Sequence, residues 1–344
     1  MTKLESLRPE KAVEMYLTSR EDEVTKKSLQ NIKSDLKIFK QWCTDRDVTD
    51  MNNVDGRALA DFRTWRAEQV KLITLKHNLW TIKKFVRFCE QIDAVPEGTS
   101  EKVVIPETSD ADEVNDSFIQ EGDAEDILEY LKKFEYASLR HAVFFTLWHT
   151  GIRSSSLLAL DLKDVHPEEN KLCIRHRPTT GTALKNKEKG ERNVFIKDEL
   201  VTVLSDFINE NRADVLDDHG RRPLFATTDT RVSRTTVQRL VYTATRPCHV
   251  GKDCPHDEEP ETCEANSYNL ACKCPSSLSP HPLRKGAITY SLNEETPKDV
   301  ISDRMDVSGG VQIRMKSEAM CFLSAYARKH TPRRKYRPDR LRVC

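Results

Sequence analysis

His281 and Arg284 stand three residues apart in the stretch SPHPLRKGAITY, residues 279–290. On a helix, residues at that spacing are neighbours. A hydrogen-bonding imidazole and a permanently charged guanidinium would then be presented on one face. The flanking residues predict such a helix. Ser279 can cap it, Pro280 and Pro282 suit its first turn, and Leu283, Ala287, Ile288 and Leu292 supply an apolar stripe to seat it. Read alone, the pair equally fits a surface His and Arg on an amphipathic helix.

Other chemically capable residues lie upstream. Arg153 follows a Thr150-Gly151 turn and precedes Leu157, Leu158 and Leu160. Between two short strand signals lies TTGTALKNKEKGER, a Lys-rich polar tip with Gly181 and Gly190, as a sheet hairpin needs. Five of the ten cysteines fall between Cys248 and Cys274. Cys248, Cys254, Cys263 and Cys274 could form a tetrahedral thiolate set around a structural zinc, with His256 and Cys272 as alternates. The other reading is reduced, unliganded thiols. A metal would staple this strandless loop just ahead of His281.

The elements that must position these residues divide the 344-residue chain into roughly two domains. Residues 8–94 read as a helical bundle. Val24, Leu29, Ile32, Leu36, Phe39 and Trp42 recur at helical spacing, as do Leu75, Leu79, Ile82, Phe85 and Cys89, with a shorter helix at Leu59, Phe62 and Trp65. The opposite faces carry Lys33, Lys37 and Lys40, and Lys83, Lys84 and Arg87. They suit either a solvated surface or a bundle laid against phosphates. Residues 95–117 are rich in Pro, Ser and acids and read as a linker. Helices follow at 122–134, 138–150, 198–211 and 233–246, and strand signals at 164–166, 172–177 and 193–196. The fold class is therefore mainly α with a small antiparallel β-sheet.

Composition narrows the setting. Charged residues make up 32% and hydrophobic ones 38%. No apolar run approaches the about 18 residues of a membrane span, and MTKLESLRPE lacks the apolar core of a signal peptide, so a cytoplasmic location is expected. Ten cysteines without a secretory signal argue against a disulfide framework. The net charge of zero conceals a residues 309–344 tail at +8 and a preceding chain at -8. An acidic bulk does not exclude nucleic acid, because binding depends on local basic stripes.

The ordered set of Arg153 after a Thr-Gly turn, a hairpin lysine and His281-x-x-Arg284 resembles the tyrosine recombinase and phage integrase family. HTGIRSSSLLALDLKDV is similar to its first arginine box and SPHPLRKGAITYSLN to its second. Residues 8–94 look like the helical core-binding domain, and residues 118–308 like the catalytic domain. The Cys-rich insert, CPSSLSPH and DVISDRMDVS look most like integrases of halophilic archaea and their viruses, which would also account for the acidic bulk.

The resemblance implies duplex DNA attachment sites as partner, a homotetramer on synapsed DNA, and no cofactor for catalysis. Transesterification at a phosphodiester loads charge onto the non-bridging oxygens, so positioning and charge stabilisation are the protein's tasks. Arg153 and Arg284 would grip the phosphate. Lys185 would protonate the leaving 5' oxygen, with Lys187 and Lys189 as rivals, and His281 would hydrogen-bond the phosphate or assist proton transfer.

Three positions depart from the family pattern. Ser156 stands where an acid is common, and Asp306 or Val307 where a His or Trp is. The attacking tyrosine should fall near Met315 or Lys316, yet GGVQIRMKSEAM contains none. Tyr290 comes too early. Tyr326, in FLSAYARKH, is the catalytic candidate if a longer connection replaces the usual one. Resemblance stops near Gly309, where a divergent basic tail begins. A frameshift, divergence or gene decay would each produce that change, and without a nucleophile the chain would bind DNA and leave it uncut.

Overall fold

The computed structural model describes residues 4–109 and 117–307. The chain forms two compact units, divided between Asp116 and Ser117.

The first unit is all helical, with α1 (Pro9–Arg20), α2 (Lys26–Asp45), α3 (Gly56–Ala67) and α4 (Leu72–Gln91). Local chemistry starts two of them. Thr25 accepts from the Ser28 amide ahead of α2, and Asp55 from the amides of Arg57 and Ala58 ahead of α3, satisfying helix-start donors that have no partner inside the helix. The apolar stripes meet in a core where Phe39, Trp42, Phe62 and Phe85 are fully buried and packed edge-on or tilted. The residues expected to start the linker belong to this core. Val95 and Val103 are buried in it, and Glu90 accepts from the amide and hydroxyl of Ser100. Two buried valines outweigh a local Pro- and Ser-rich composition.

The second unit packs α5 (Glu121–Phe134), α6 (Leu139–Thr150), α7 (Ser154–Ala159), α8 (Asp198–Asp206), α9 (Arg234–Ala244), α10 (Pro280–Asn293) and α11 (Lys298–Met305) with an antiparallel sheet in the order β1 (Val165–His166), β2 (Lys171–Ile174) and β3 (Arg192–Phe195). Register pairs Leu172 with Val194 and Ile174 with Arg192. Leu172, Ile174 and Val194 enter the core with Phe144, Leu147 and Leu283. Mainly helical with one small antiparallel sheet is thus the fold. Helix α8 is shorter than its periodicity suggests and runs into a π-helical turn, Phe207–Asn211, closed by the Arg212 amide on the Phe207 carbonyl. Among the described residues no helix is long and apolar enough to cross a membrane.

Two glycines make close approaches, one seating α10 and one seating α11. Gly286 packs directly on the Ile119 backbone carbonyl, leaving no room for a Cβ. Gly151 ends α6 in the left-handed region at φ 59°, and a Cβ there would meet the Met305 sulfur at 2.7 Å. The elements carrying Arg153 and Arg284 therefore sit against each other and against α11.

Candidate active site

Gly151 turns the chain out of α6 so that Arg153 occupies the position just before α7. Its guanidinium forms an ion pair with Asp306, and both side chains are mostly shielded, 24% and 19% exposed. Arg284 projects from the buried face of α10 and is only 7% exposed. One of its Nη atoms donates to the Gly151 carbonyl at 2.5 Å and the other to the Asp306 carbonyl at 3.4 Å. Burial, followed by the charges of Arg153 and Arg192, draws its pKa down to about 9. It remains a cation at neutral pH.

The start of α10 differs in detail from expectation. Ser279 takes the capping position, but its side chain makes no capping hydrogen bond. Pro280 and Pro282 lack amides to be satisfied. Leu283, Ala287, Ile288 and Leu292 are buried as the stripe requires. His281 keeps part of its surface in water, yet burial lowers its pKa, with Lys285, Arg284, Lys185 and Arg153 adding to the effect. The charges acting on His281 thus include those of the sequence candidates Arg284, Lys185 and Arg153.

The segment carrying Lys185 is a folded loop between β2 and β3. His176 Nδ1 accepts from the Leu184 amide at 2.9 Å, and Leu184 is buried against Gly190. At the base, Arg177 makes two hydrogen bonds to the Asp164 carboxylate. Lys185, Lys187 and Lys189 are exposed. Asn186, next to Lys185, donates to the free oxygen of Asp306 at 2.7 Å. The loop is thereby tied to the carboxylate that Arg153 holds.

Two residues at the candidate site escape the sequence reading, Arg192 and Asn186, and a third, Asp306, enters it only as a departure from the family pattern. Arg192, first residue of β3, donates to the carbonyls of Arg304 and Gly190 at 2.9 and 2.7 Å, and its second Nη is buried without a partner. Burial lowers its pKa, offset by Asp306 and reinforced by Arg153. Asp306, in the left-handed region at φ 54°, and Asn186 complete the group. Ser156, standing where an acid was expected, is buried.

Elsewhere the candidates fare variously. Lys33, Lys37, Lys84 and Arg87 are exposed and Lys40 partly so. Lys83 and Arg87 share the Glu101 carboxylate at 2.7 and 2.9 Å, which partly cancels their charge. Cys248, Cys254, Cys263, Cys274 and His256 line one cavity of about 240 Å³, whereas Cys272 is exposed outside its lining. Tyr290 stacks obliquely on Trp148 with ring centres 5.7 Å apart. Tyr326 and residues 309–344 lie outside the described residues.

A family model described as the phage integrase family matches residues 117–308. Among solved structures, the integrase of transposon Tn1549 in complex with a circular intermediate DNA is 13% identical, with a TM-score of 0.66 over 93% of this chain and 100% of that one. A lambda integrase dimer bound to a core site is 10% identical, with a TM-score of 0.64 over 98% of this chain and 81% of that one. The N-terminal domain of a phage integrase/site-specific recombinase from Haloarcula marismortui is 32% identical, with a TM-score of 0.29 over 30% of this chain and 99% of that one. No curated protein matches the chain.

Proposed function

Since the chain belongs to the phage integrase family, we propose that it is a site-specific recombinase that cuts and rejoins duplex DNA through a phosphotyrosine link. The observation that supports this reading is the convergence of Arg153, Arg284 and the loop carrying Lys185 on one residue, Asp306, whose carboxylate holds Arg153 and Asn186 and whose carbonyl accepts from Arg284.

In the proposed reaction a tyrosine hydroxyl releases its proton to solvent as its oxygen bonds to the scissile phosphorus, and the bond from phosphorus to the 5' oxygen breaks. Arg153 and Arg284 neutralise charge on the non-bridging oxygens, and a fixed guanidinium already stripped of water is effective there. Lys185 gives its proton to the departing 5' oxygen, and His281 hydrogen-bonds the phosphate. Rejoining reverses these steps with a 5' hydroxyl as attacking group. The phosphodiester energy is kept in the covalent link. Tyr326 is the proposed nucleophile. The exposed lysines of α2 and α4 are proposed to contact phosphates, and a tetramer on two synapsed sites to carry out the exchange.

The absence of a tyrosine from residues 309–320 favours a second reading, a non-cleaving relative that occupies attachment sites. A nicked suicide substrate, which traps any covalent intermediate, separates the two. A protein–DNA adduct lost in Tyr326→Phe is the outcome expected for the enzyme. Tight, salt-sensitive binding with no adduct would establish the second reading. Binding that did not weaken with salt would remove both.

A further inference from the structure

We propose that the insert between α9 and α10 is a zinc site, in which the thiolates of Cys248, Cys254, Cys263 and Cys274 hold one ion that orders the loop. This goes beyond DNA cleavage and does not depend on it.

The four cysteines come from separate parts of the loop. Cys248 lies in the turn Pro247–Val250, Cys263 precedes the turn Glu264–Asn266, and Cys274 follows the turn Ala271–Lys273. All four nonetheless line the same cavity. Cys272 is excluded from it, although only two residues from Cys274. Four thiols gathered from five is the donor number and softness of a closed structural zinc site.

The loop has little else to hold it. Between residues 248 and 274 only Ala265, Ala271 and Cys274 are buried, and the local structure consists of short turns. So small an apolar core cannot offset the entropy of ordering this many residues. Among the described residues no three metal-ligating side chains stand close enough to share an ion as they are. Metal binding must therefore draw the loop inward, coupling its free energy to ordering.

Charge and hydrogen bonding suit a thiolate cluster. A zinc ion with four thiolates carries two net negative charges, and Arg246 and Lys273 line the cavity. Arg246 is 5% exposed; it donates to the Ala265 carbonyl and, at 3.3 Å, to Asn266, while its Nε is buried without a partner. A buried cation with a spare donor is a natural outer-shell partner for a thiolate. Glu258 and Glu264 also line the cavity, and the two cations offset their charge. His256 is engaged through Nε2 with the Ser276 hydroxyl at 2.8 Å and stands outside the proposed ligand set.

The test uses the full chain purified under reducing conditions. Elemental analysis should find about one zinc per chain, and cobalt substitution should give the intense thiolate-to-metal absorption of a four-sulfur tetrahedral site. Cys263→Ser should weaken cobalt binding at least roughly a hundred-fold, the upper end of what outer-shell losses cost. Cys272→Ser and His256→Ala should leave the spectrum unchanged. Should Cys263→Ser fail to fold, the zinc content and cobalt spectrum of the unaltered chain decide the matter. Trace zinc only, a cobalt spectrum without thiolate character, or unchanged affinity in both Cys263→Ser and Cys274→Ser would overturn the proposal.

Discussion

Arg153 and Asp306, 153 residues apart in sequence, form an ion pair in which the carboxylate also accepts from Asn186. Its two oxygens thus face an arginine of the site and the loop that carries Lys185. A DNA phosphate seeking Arg153 has to share or displace this carboxylate. Asp306→Asn should therefore tighten duplex DNA binding by roughly five-fold, corresponding to about 1 kcal/mol for a partly shielded pair. Fluorescence anisotropy at fixed salt measures the change. Weaker binding in Asp306→Asn would mean that Asp306 positions Arg153 for the phosphate instead of competing with it.

Arg284 makes two backbone hydrogen bonds from a nearly buried position. Lysine supplies one compact ammonium and cannot span the Gly151 and Asp306 carbonyls together. Arg284→Lys should cost about 1–3 kcal/mol in urea unfolding, because an acceptor is left unsatisfied. It should also reduce covalent adduct in the suicide assay.

Gly151→Ala meets both a left-handed φ and the Met305 side chain. The expected loss is about 1–3 kcal/mol of stability. DNA affinity should fall with it, because Arg153 follows two residues later. Urea unfolding and anisotropy on one preparation would report both effects, and a stability equal to that of the unaltered chain would contradict the packing described.

Burial lowers the pKa of His141 to about 4 and of His149 to about 3, from an ordinary value of 6.5. The unfolded state then binds more protons than the folded state between those limits, so stability must fall as pH drops below about 6.5. Urea midpoints from pH 7 to pH 4 should decline across that window, before most carboxylates titrate. His141→Gln should flatten the decline. An unchanged slope would assign the decline to other groups.

Exposed lysines of α2 offer a test of the DNA-facing surface. Lys33→Glu with Lys37→Glu should weaken DNA binding and lower the magnitude of the salt slope by about 2, one per lost phosphate contact. A slope equal to that of the unaltered chain would place the DNA elsewhere.

Much of this molecule could be read from periodicity. The helical stripes of α4 and α10 bury the residues their spacing selects, because a 3.6-residue repeat leaves one face for the core; α2 buries Leu36, Phe39 and Trp42, while Leu29 and Ile32 are only half-buried and Val24 precedes the helix. Motif order alone singled out Arg153, Lys185, His281 and Arg284 as candidates. Arg192 was not, because it follows a run of lysines of equal charge, and only its pairing with Ile174 brings it to the other arginines. Asp306 was noted as a substitution without its pairing, since a contact across 153 residues leaves no local pattern. The common cavity of the four cysteines likewise depends on turns that irregular spacing does not reveal. Val95 and Val103 escaped notice because isolated apolar residues in a polar stretch carry no periodicity.

The contact of Gly286 with Ile119 has a consequence for the order of events during synthesis. Ile119 leaves the ribosome near the beginning of the second unit and α10 near its end, and the Ile119 amide also donates to Pro282 at 3.4 Å. The surface at Ile119 that receives α10 must therefore wait, uncovered, through most of the unit's translation. Closing so long a loop is late and entropically costly, so Arg284 should be among the last parts of the fold to reach its place, and a nascent chain should gain its protection from proteolysis abruptly instead of by degrees.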